Sequence, residues 1–348
     1  MQEYAGAIHI HSRFSDGSGE IPEIASLANE AGLDFIILTD HNTLRGLTEG
    51  YERFYGETLC LVGCEINDKE NKNHYLAMGI EKTFSTRMPA KEFVRAVKES
   101  GGIGFLAHPF EKRDSMKEHP PYPWTDWDCD EYTGIEIWNH MSEWMENLTE
   151  QNKYQAFMHP LKSIAGPTKE ALTKWDEESM KRKVVGIGGI DAHAHRVNLL
   201  GFFEVEVFPY KVLFKSIRTH VLTHHKLDRK KGEEGVKKGK SMIYEALREG
   251  RCFVSNYYHG DATGFRFFAE EGKNVYQMGD KVKLTKNLKL RVEVPEVVAT
   301  IRVIRNGELY AITEGLKGEY EVSEGGMYRT EIFVNKKAWI FSNHIRIE

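Results

Sequence analysis

The sequence predicts an α/β protein: a parallel sheet closed as a (β/α) barrel of about seven strands, then a small antiparallel β-sandwich. Three observations carry this. Apolar runs alternate with amphipathic helical patterns up to about residue 200. Several of those runs stop abruptly in histidine or an acid. From Tyr258 onward the pattern changes to short alternating strands (FRFFAE, NLKLRVEV, ATIRVIRNG, YRTEIFVN, WIFSNHIRIE) separated by Gly, Asn and Lys turns. Residues 1–257 are therefore expected to form the barrel and 258–348 the sandwich.

The strands are read first. AGAIHIH ends in His9 and His11, FIILTDH in Asp40 and His41, and LCLVGCE in Glu65. IGFLAHP ends in His108 and VVGIGGIDAH in Asp191 and His193. Runs this apolar are covered on both faces, as parallel-sheet strands are. Further strands are expected near Leu76 and Ile137. Between them, residues 22–31 place Ile24, Leu27, Ala28 and Ala31 at helical spacing, with Pro22 in the first turn and Gly32 past the end. Residues 89–100 repeat the device with Phe93, Val94 and Val97, closed by Gly101 and Gly102. Helices are also expected over 143–162, 168–183 and 241–249. Residues 224–240, dense in lysine and glycine, read as a solvated connection. Residues 111–132 combine prolines, charges and two tryptophans directly after His108. A loop of that length inside a domain is usually functional, so it is read as a lid or substrate wall.

Composition narrows the class. Across 348 residues, 47 Lys and Arg face 52 Asp and Glu, with no basic stripe, so nucleic acid is not an expected partner. Cys60, Cys64, Cys129 and Cys252 follow no zinc-ribbon or disulfide spacing. No signal peptide and no apolar stretch near the roughly 20 residues of a membrane span is visible. A cytoplasmic protein without a membrane partner is expected.

The strand endings carry the chemistry. Placing polar, ligand-type residues at the C-terminal ends of several strands is how a barrel enzyme assembles its site. Repeated with one chemical type, they point to a polynuclear metal site. His9 and His11 sit two apart on one strand and so share a face, where paired imidazoles chelate zinc, manganese or iron. Glu65, a carboxylate ending an apolar strand, needs a cation or a hydrogen-bonded partner. Asp191 and His193 again share a face, with His195 third in that row but expected in the loop. Asp16, in the SDGSG turn, reads equally as a turn residue or a ligand. His140 follows GIEIWN and is either a ligand or a hydrogen-bonded loop histidine. His74 begins the run HYLAMGI rather than ending it, so it lines the mouth only if a loop bends back toward the site.

The order HIH, SDG, TDH, GCE, AHP and DAH, running from residue 9 to 193, resembles the PHP (polymerase and histidinol phosphatase) family. The resemblance implies a distorted (β/α)7 barrel with two or three metal ions at its C-terminal mouth. It also implies a ligand set. His9, His11, Glu65 and Asp191 would hold one ion. Glu65 and His108 would hold a second, bridged by Glu65, with His140 as the candidate third ligand. Asp16, His41 and His193 would hold the third. A narrower resemblance, on GPTKEALTKWDEES, YEALREGRCFVSN and YRTEIFVNKKAWIFSN, is to the carbaryl-hydrolase-like branch with a C-terminal β-sandwich.

The expected function is hydrolysis of a small-molecule phosphate ester by a metal-bridging hydroxide, since metal binding lowers the pKa of water from 15.7 to about 7. Glu65 and Asp191 are the acids central to it, and His74 or His195 would protonate the leaving group. Arg13, Arg45 and Arg196 lie near expected ligands and read as phosphate contacts or surface salt bridges. The alternative is a carbamate or carboxylic ester hydrolase using the same metals. A third reading, in which the ions only stabilise the fold, fits less well, because structural sites are closed rather than spread over strand ends.

Overall fold

The computed structural model describes residues 1–113, 120–199 and 203–348. The chain opens with β1 (Gln2–Ile10), α1 (Ile21–Glu30), β2 (Phe35–Leu38), α2 (Arg45–Thr48), β3 (Arg53–Tyr55), β4 (Thr58–Val62) and β5 (Cys64–Ile66). Next come β6 (Tyr75–Met78), α3 (Ala90–Glu99), β7 (Ile103–Leu106), β8 (Gly134–Asn139), α4 (His140–Glu146) and α5 (Lys153–Met158). They are followed by α6 (Lys169–Lys181), β9 (Val185–Gly189), β10 (His195–Leu199), β11 (Phe203–Val207), α7 (Tyr210–Leu213) and β12 (Ile217–Thr223). The last helix is α8 (Gly232–Glu249), followed by β13 (Cys252–Asn256).

The expected parallel pairing holds for β1 with β2, β2 with β4, β7 with β8, and β8 with β9. It fails at β6, which runs antiparallel to both β5 and β7. The reason lies in the connection. Parallel strands need a crossover of a dozen or more residues, and residues 67–74 are too few to supply one. The chain instead turns back through Asn71 and Asn73, both left-handed (φ 55° and 53°).

These strands lie in two sheets that meet at single parallel bridges, Ile10 to Ala192 and His41 to Glu65. Ile8, Ile37, Leu61, Leu76, Phe105 and Ile187 come from both sheets and share one buried cluster, which Ile243 and Leu247 of α8 join. Outside the strands, Ile24 and Ala28 of α1 and Phe93 and Val97 of α3 belong to a second layer. Helix α8 starts at Gly232, so half of the segment expected as a loose connection is helical. Its glycines permit this: a Cβ on Gly239 would come 2.8 Å from Leu59 Cδ2. The helix expected over 143–162 is broken into α4 and α5.

The C-terminal part is antiparallel, as its alternation predicts. Its strands are β14 (Arg266–Glu271), β15 (Asn274–Gln277), β16 (Lys281–Val282), β17 (Lys289–Glu293) and β18 (Ala299–Arg305). They continue as β19 (Glu308–Gly315), β20 (Lys317–Glu321), β21 (Gly326–Val334), β22 (Lys337–Ser342) and β23 (Ile345–Ile347). A four-stranded sheet, β15-β14-β17-β20, contributes Phe267, Leu290 and Val292 to a cluster with Ile301, Ile332 and Ile340. The other sheet is not separate. An unanticipated strand, β12, pairs with β1 and β13, and β13 pairs with β22, so one ladder runs from the first strand into the C-terminal part. Among the described residues no helix is long and apolar enough to cross a membrane.

Helix α6 and the C-terminal strands are tied by a buried ionic network. Arg329, 2% exposed, places Nε and Nη2 each 2.8 Å from the two oxygens of Asp176, and Nη1 2.8 Å from Glu331. His344 Nε2 lies 2.8 Å from Asp176 Oδ1. Burial alone would raise the Asp176 carboxyl, but Arg329 and His344 overcome it and hold it at about 2. Breaking a buried pair strands the remaining charge. Arg329→Ala should therefore cost about 3–5 kcal/mol in urea unfolding, and Asp176→Asn combined with Arg329→Met should cost less than Arg329→Ala alone. An Arg329→Ala loss under about 1 kcal/mol would show that the network is not holding the two parts together.

Candidate metal centre

The end of β1 sets the geometry. A bulge between Ile8 and Ile10 puts His9 in the left-handed region (φ 67°), and both His9 and His11 are fully buried. His108 (φ 30°) and Asp191 (φ 52°) are left-handed as well. For a residue with a Cβ each such conformation costs about 1–3 kcal/mol, and such strain gathers at functional sites.

Glu65, 1% exposed, lies at the centre. Its Oε2 is 3.0 Å from His9 Nε2, 3.1 Å from His11 Nε2 and 3.6 Å from His41 Nδ1. Its Oε1 is 2.7 Å from His74 Nδ1 and 3.4 Å from His108 Nε2. Asp191 Oδ1 lies 3.4 Å from both His9 and His11. Asp16 faces His193 at 3.3 Å, His11 at 3.6 Å and His41 at 3.7 Å. Donor atoms therefore gather in four overlapping sets: His9, His11 and Asp191; His9, Glu65 and His108; His41, Glu65 and His74; and His11, Asp16, His41 and His193.

The reversal of β6 explains His74. Because that strand runs the other way, its first end, not its last, reaches the mouth, and no bent-back loop is needed. Tyr122, from the 111–132 segment, stacks on the His74 ring at 5.0 Å, and the Arg113 guanidinium lies 5.3 Å from the Tyr122 ring. This much of that segment stands at the site, while its residues 114–119 lie outside the described residues.

His140 is not brought into the cluster. It is the first residue of α4, fully buried, with Nδ1 2.5 Å from Ser216 Oγ, and burial pushes it down to about 3. Asn139 holds the strand end instead. Its Nδ2 lies 2.9 Å from Glu136 and 3.4 Å from Asp191, while its Oδ1 caps α4 by accepting from Ser142 N at 2.8 Å. His195 opens β10, and its exposed ring stacks on His193 at 4.9 Å. The arginines sit at the rim. Arg13 pairs with Glu20 at 2.7 Å, Arg45 pairs with Glu49 at 2.7 Å and lies over Phe14, and Arg196 stands exposed opposite Glu206.

Further acids hold the donors in place. Asp40, at the end of β2, accepts from Ser12 N, Ser12 Oγ and Ser15 Oγ, each at 2.7 Å, and so fixes the loop that carries Asp16. Glu111 and Glu136, both buried, stand behind His108 and His9. Their only signal in sequence is an acid inside or beside an apolar strand, which demands a partner.

Metal fits this donor set on a direct observation. His11 Nδ1 and Nε2, His74 Nε2 and His108 Nδ1 are buried without a hydrogen-bond partner, in a protein interior where such atoms are rare. Residues 7–164 match the PHP domain family. Asp191 and His193 lie beyond that matched segment. Among relatives, the chain is 26% identical over 116 residues to the uncharacterized protein MJ1587 of Methanocaldococcus jannaschii, covering 30% of this chain and 66% of that one. It is 32% identical over 82 residues to a phosphoribosyl 1,2-cyclic phosphate 1,2-diphosphodiesterase of Eggerthella lenta, covering 22% of this chain and 30% of that one. The chain thus spans less than two thirds of either relative. Among solved structures, a two-domain protein "containing predicted PHP-like metal-dependent phosphoesterase" from Bacteroides vulgatus aligns over 99% of this chain and 95% of its own, at 16% identity and a TM-score of 0.42.

Without metal, protons hold the cluster together. Burial would lower His11 and His108, yet the carboxylates beside them raise His11 to about 10 and His108 to about 9, from 6.5. Between pH 6.5 and these values the folded metal-free chain binds more protons than the unfolded chain. The stability they supply is complete below pH 6.5 and is lost as pH rises through 9 to 10. Zinc uptake at pH 8 should release protons, read by calorimetry in buffers of different ionisation enthalpy, and should flatten the alkaline loss of stability. Zinc binding without proton release would contradict this arrangement.

Proposed function

We propose that the chain is a metal-dependent phosphoester hydrolase whose reaction centre surrounds Glu65. The observation that carries this is the division of the Glu65 oxygens between separate imidazole sets, Oε2 toward His9 and His11 and Oε1 toward His74 and His108. In this reading His9, His11, Glu65 and Asp191 hold one ion, and Glu65, His74 and His108 a second. Asp16, His41 and His193 hold a third, and His74 takes the place expected of His140. Imidazole and carboxylate donors without thiolate suit zinc, manganese or iron. Such ions supply hydroxide at neutral pH and neutralise charge developing on a phosphoryl group.

The remaining work falls to the chain. Asp40 keeps the Asp16 loop in place. His195, whose ring stacks on His193 at 4.9 Å, is assigned as the leaving-group acid. Arg196 is the arginine assigned to the phosphate. The two sheets act as one distorted seven-stranded barrel, which their bridges and shared buried cluster support. Residues 1–257 are the proposed hydrolase domain and 258–348 the proposed sandwich. The family match and the relative named as a phosphodiesterase support phosphate over other esters. The substrate is a small molecule, without nucleic acid or membrane. Four buried, unpaired cysteines support a reducing, cytoplasmic setting.

The test is hydrolysis of p-nitrophenyl phosphate and p-nitrophenyl acetate, with and without zinc or manganese. Metal-dependent cleavage of the phosphate is expected; cleavage of the acetate alone would transfer the site to carbamate or carboxylic esters. Glu65→Gln should lower the phosphate rate by more than about 100-fold, beyond what loss of an outer partner causes. Arg196→Ala should raise KM for the phosphate and leave acetate cleavage unchanged, and an equal effect on both would remove Arg196 from the phosphate site.

A further inference from the structure

Glu136 lies within the apolar strand β8, is 2% exposed, and belongs to none of the donor sets. Its two oxygens accept from three donors. His9 Nδ1 reaches Oε1 at 2.8 Å, while the His108 backbone N–H and Asn139 Nδ2 reach Oε2 at 2.7 and 2.9 Å. Two of these donors belong to residues that face Glu65, and the third to the residue standing where His140 was expected.

We propose that Glu136 is the positioning residue of the metal centre, acting through His9 and His108; the inference rests on the metal-centre reading above. A carboxylate only accepts, so the hydrogen bond at His9 Nδ1 places the proton on that nitrogen and leaves the lone pair on Nε2, the atom turned toward Glu65 and Asp191. The bond to the His108 N–H holds that residue in its left-handed backbone conformation. One side chain thereby sets a ligand of each of the two ions that share Glu65.

Gly189 is the other half of the device. A Cβ there would fall 1.9 Å from Glu136 Oε1 and 2.9 Å from His9 Cβ. The glycine before IDAH is what lets the carboxylate lie against the His9 ring.

An amide of the same shape cannot do this. With its oxygen toward His9, the NH2 of a glutamine would meet the His108 N–H and the Asn139 NH2, donor against donor. Turned round, the NH2 would face His9 Nδ1, which then accepts only if the ring proton moves to Nε2 and the lone pair for metal is lost. Glu136→Gln is thus an isosteric change that disturbs His9, His108 or both.

The test uses the metal-free full chain titrated with zinc against a competing chelator, beside NMR of the zinc-loaded protein labelled with 15N-histidine. Glu136→Gln should weaken zinc binding about 10- to 100-fold and shift or remove the His9 Nδ1–H resonance, a signal that a purely structural role would not move. Wild-type affinity together with an unchanged His9 resonance would overturn the inference alone. Failure of the wild-type chain to take up zinc would overturn the metal-centre reading and the inference with it. Should Glu136→Gln fail to fold, Gly189→Ala, which displaces the same carboxylate without removing it, is expected to show the same loss, and wild-type affinity in that variant would overturn the proposal.

Discussion

A carboxylate with 1% exposure surrounded by imidazoles is the constraint on which this structure depends. Glu65 lies within 3.6 Å of His9, His11, His41, His74 and His108. Alone in the interior a charged carboxylate is untenable, and so is a set of buried imidazoles with unpartnered nitrogens. Together they are stable only around cations, which are protons in the metal-free protein and divalent ions in the proposed working state. The pKa directions say the same: burial opposes charge on both partners, yet Glu65 and Asp191 stay well below, and His9 well above, their usual values, because the opposite charges face one another.

The architecture exists to deliver those groups. Two sheets converge where Ile10 meets Ala192 and His41 meets Glu65, so the bridges that join them are also the places where donors emerge. Three donor residues occupy left-handed backbone at the ends of β1, β7 and β9. That strain is carried by the apolar cluster beneath, closed off by α8, and by Asp40 and Glu136, which pin the neighbouring loops from inside. The C-terminal sheet is continuous with β1 through β12 and β13 and is clamped to α6 by Asp176 and Arg329, so it braces the strands that carry His9 and Asp191.

Much of this was legible because burial and charge leave marks in sequence. Strands that end in His11, Glu65, His108 and Asp191 are visible as apolar runs with an abrupt polar stop, and the C-terminal alternation announces an antiparallel sheet. What escaped is what depends on direction and on distant partners. No local pattern shows that β6 is reversed, and that reversal turns His74 from the wrong end of a strand into a donor. His140 and Asn139 differ by one position, and only the entry into α4 decides which of them looks inward. Glu136 carries no motif because its partners, His9 and His108, are distant in sequence. Helix α8 begins earlier than its pattern suggests because its glycines, which read as loop, mark close packing instead.

Anomalous diffraction from crystals of the metal-loaded protein, collected at the metal edge, tests the account most directly. It predicts one peak bonded to His9, His11, Glu65 and Asp191 and a second bonded to Glu65, His74 and His108. No peak within bonding distance of Glu65, or a second ion held by His140 in place of His74, would contradict it.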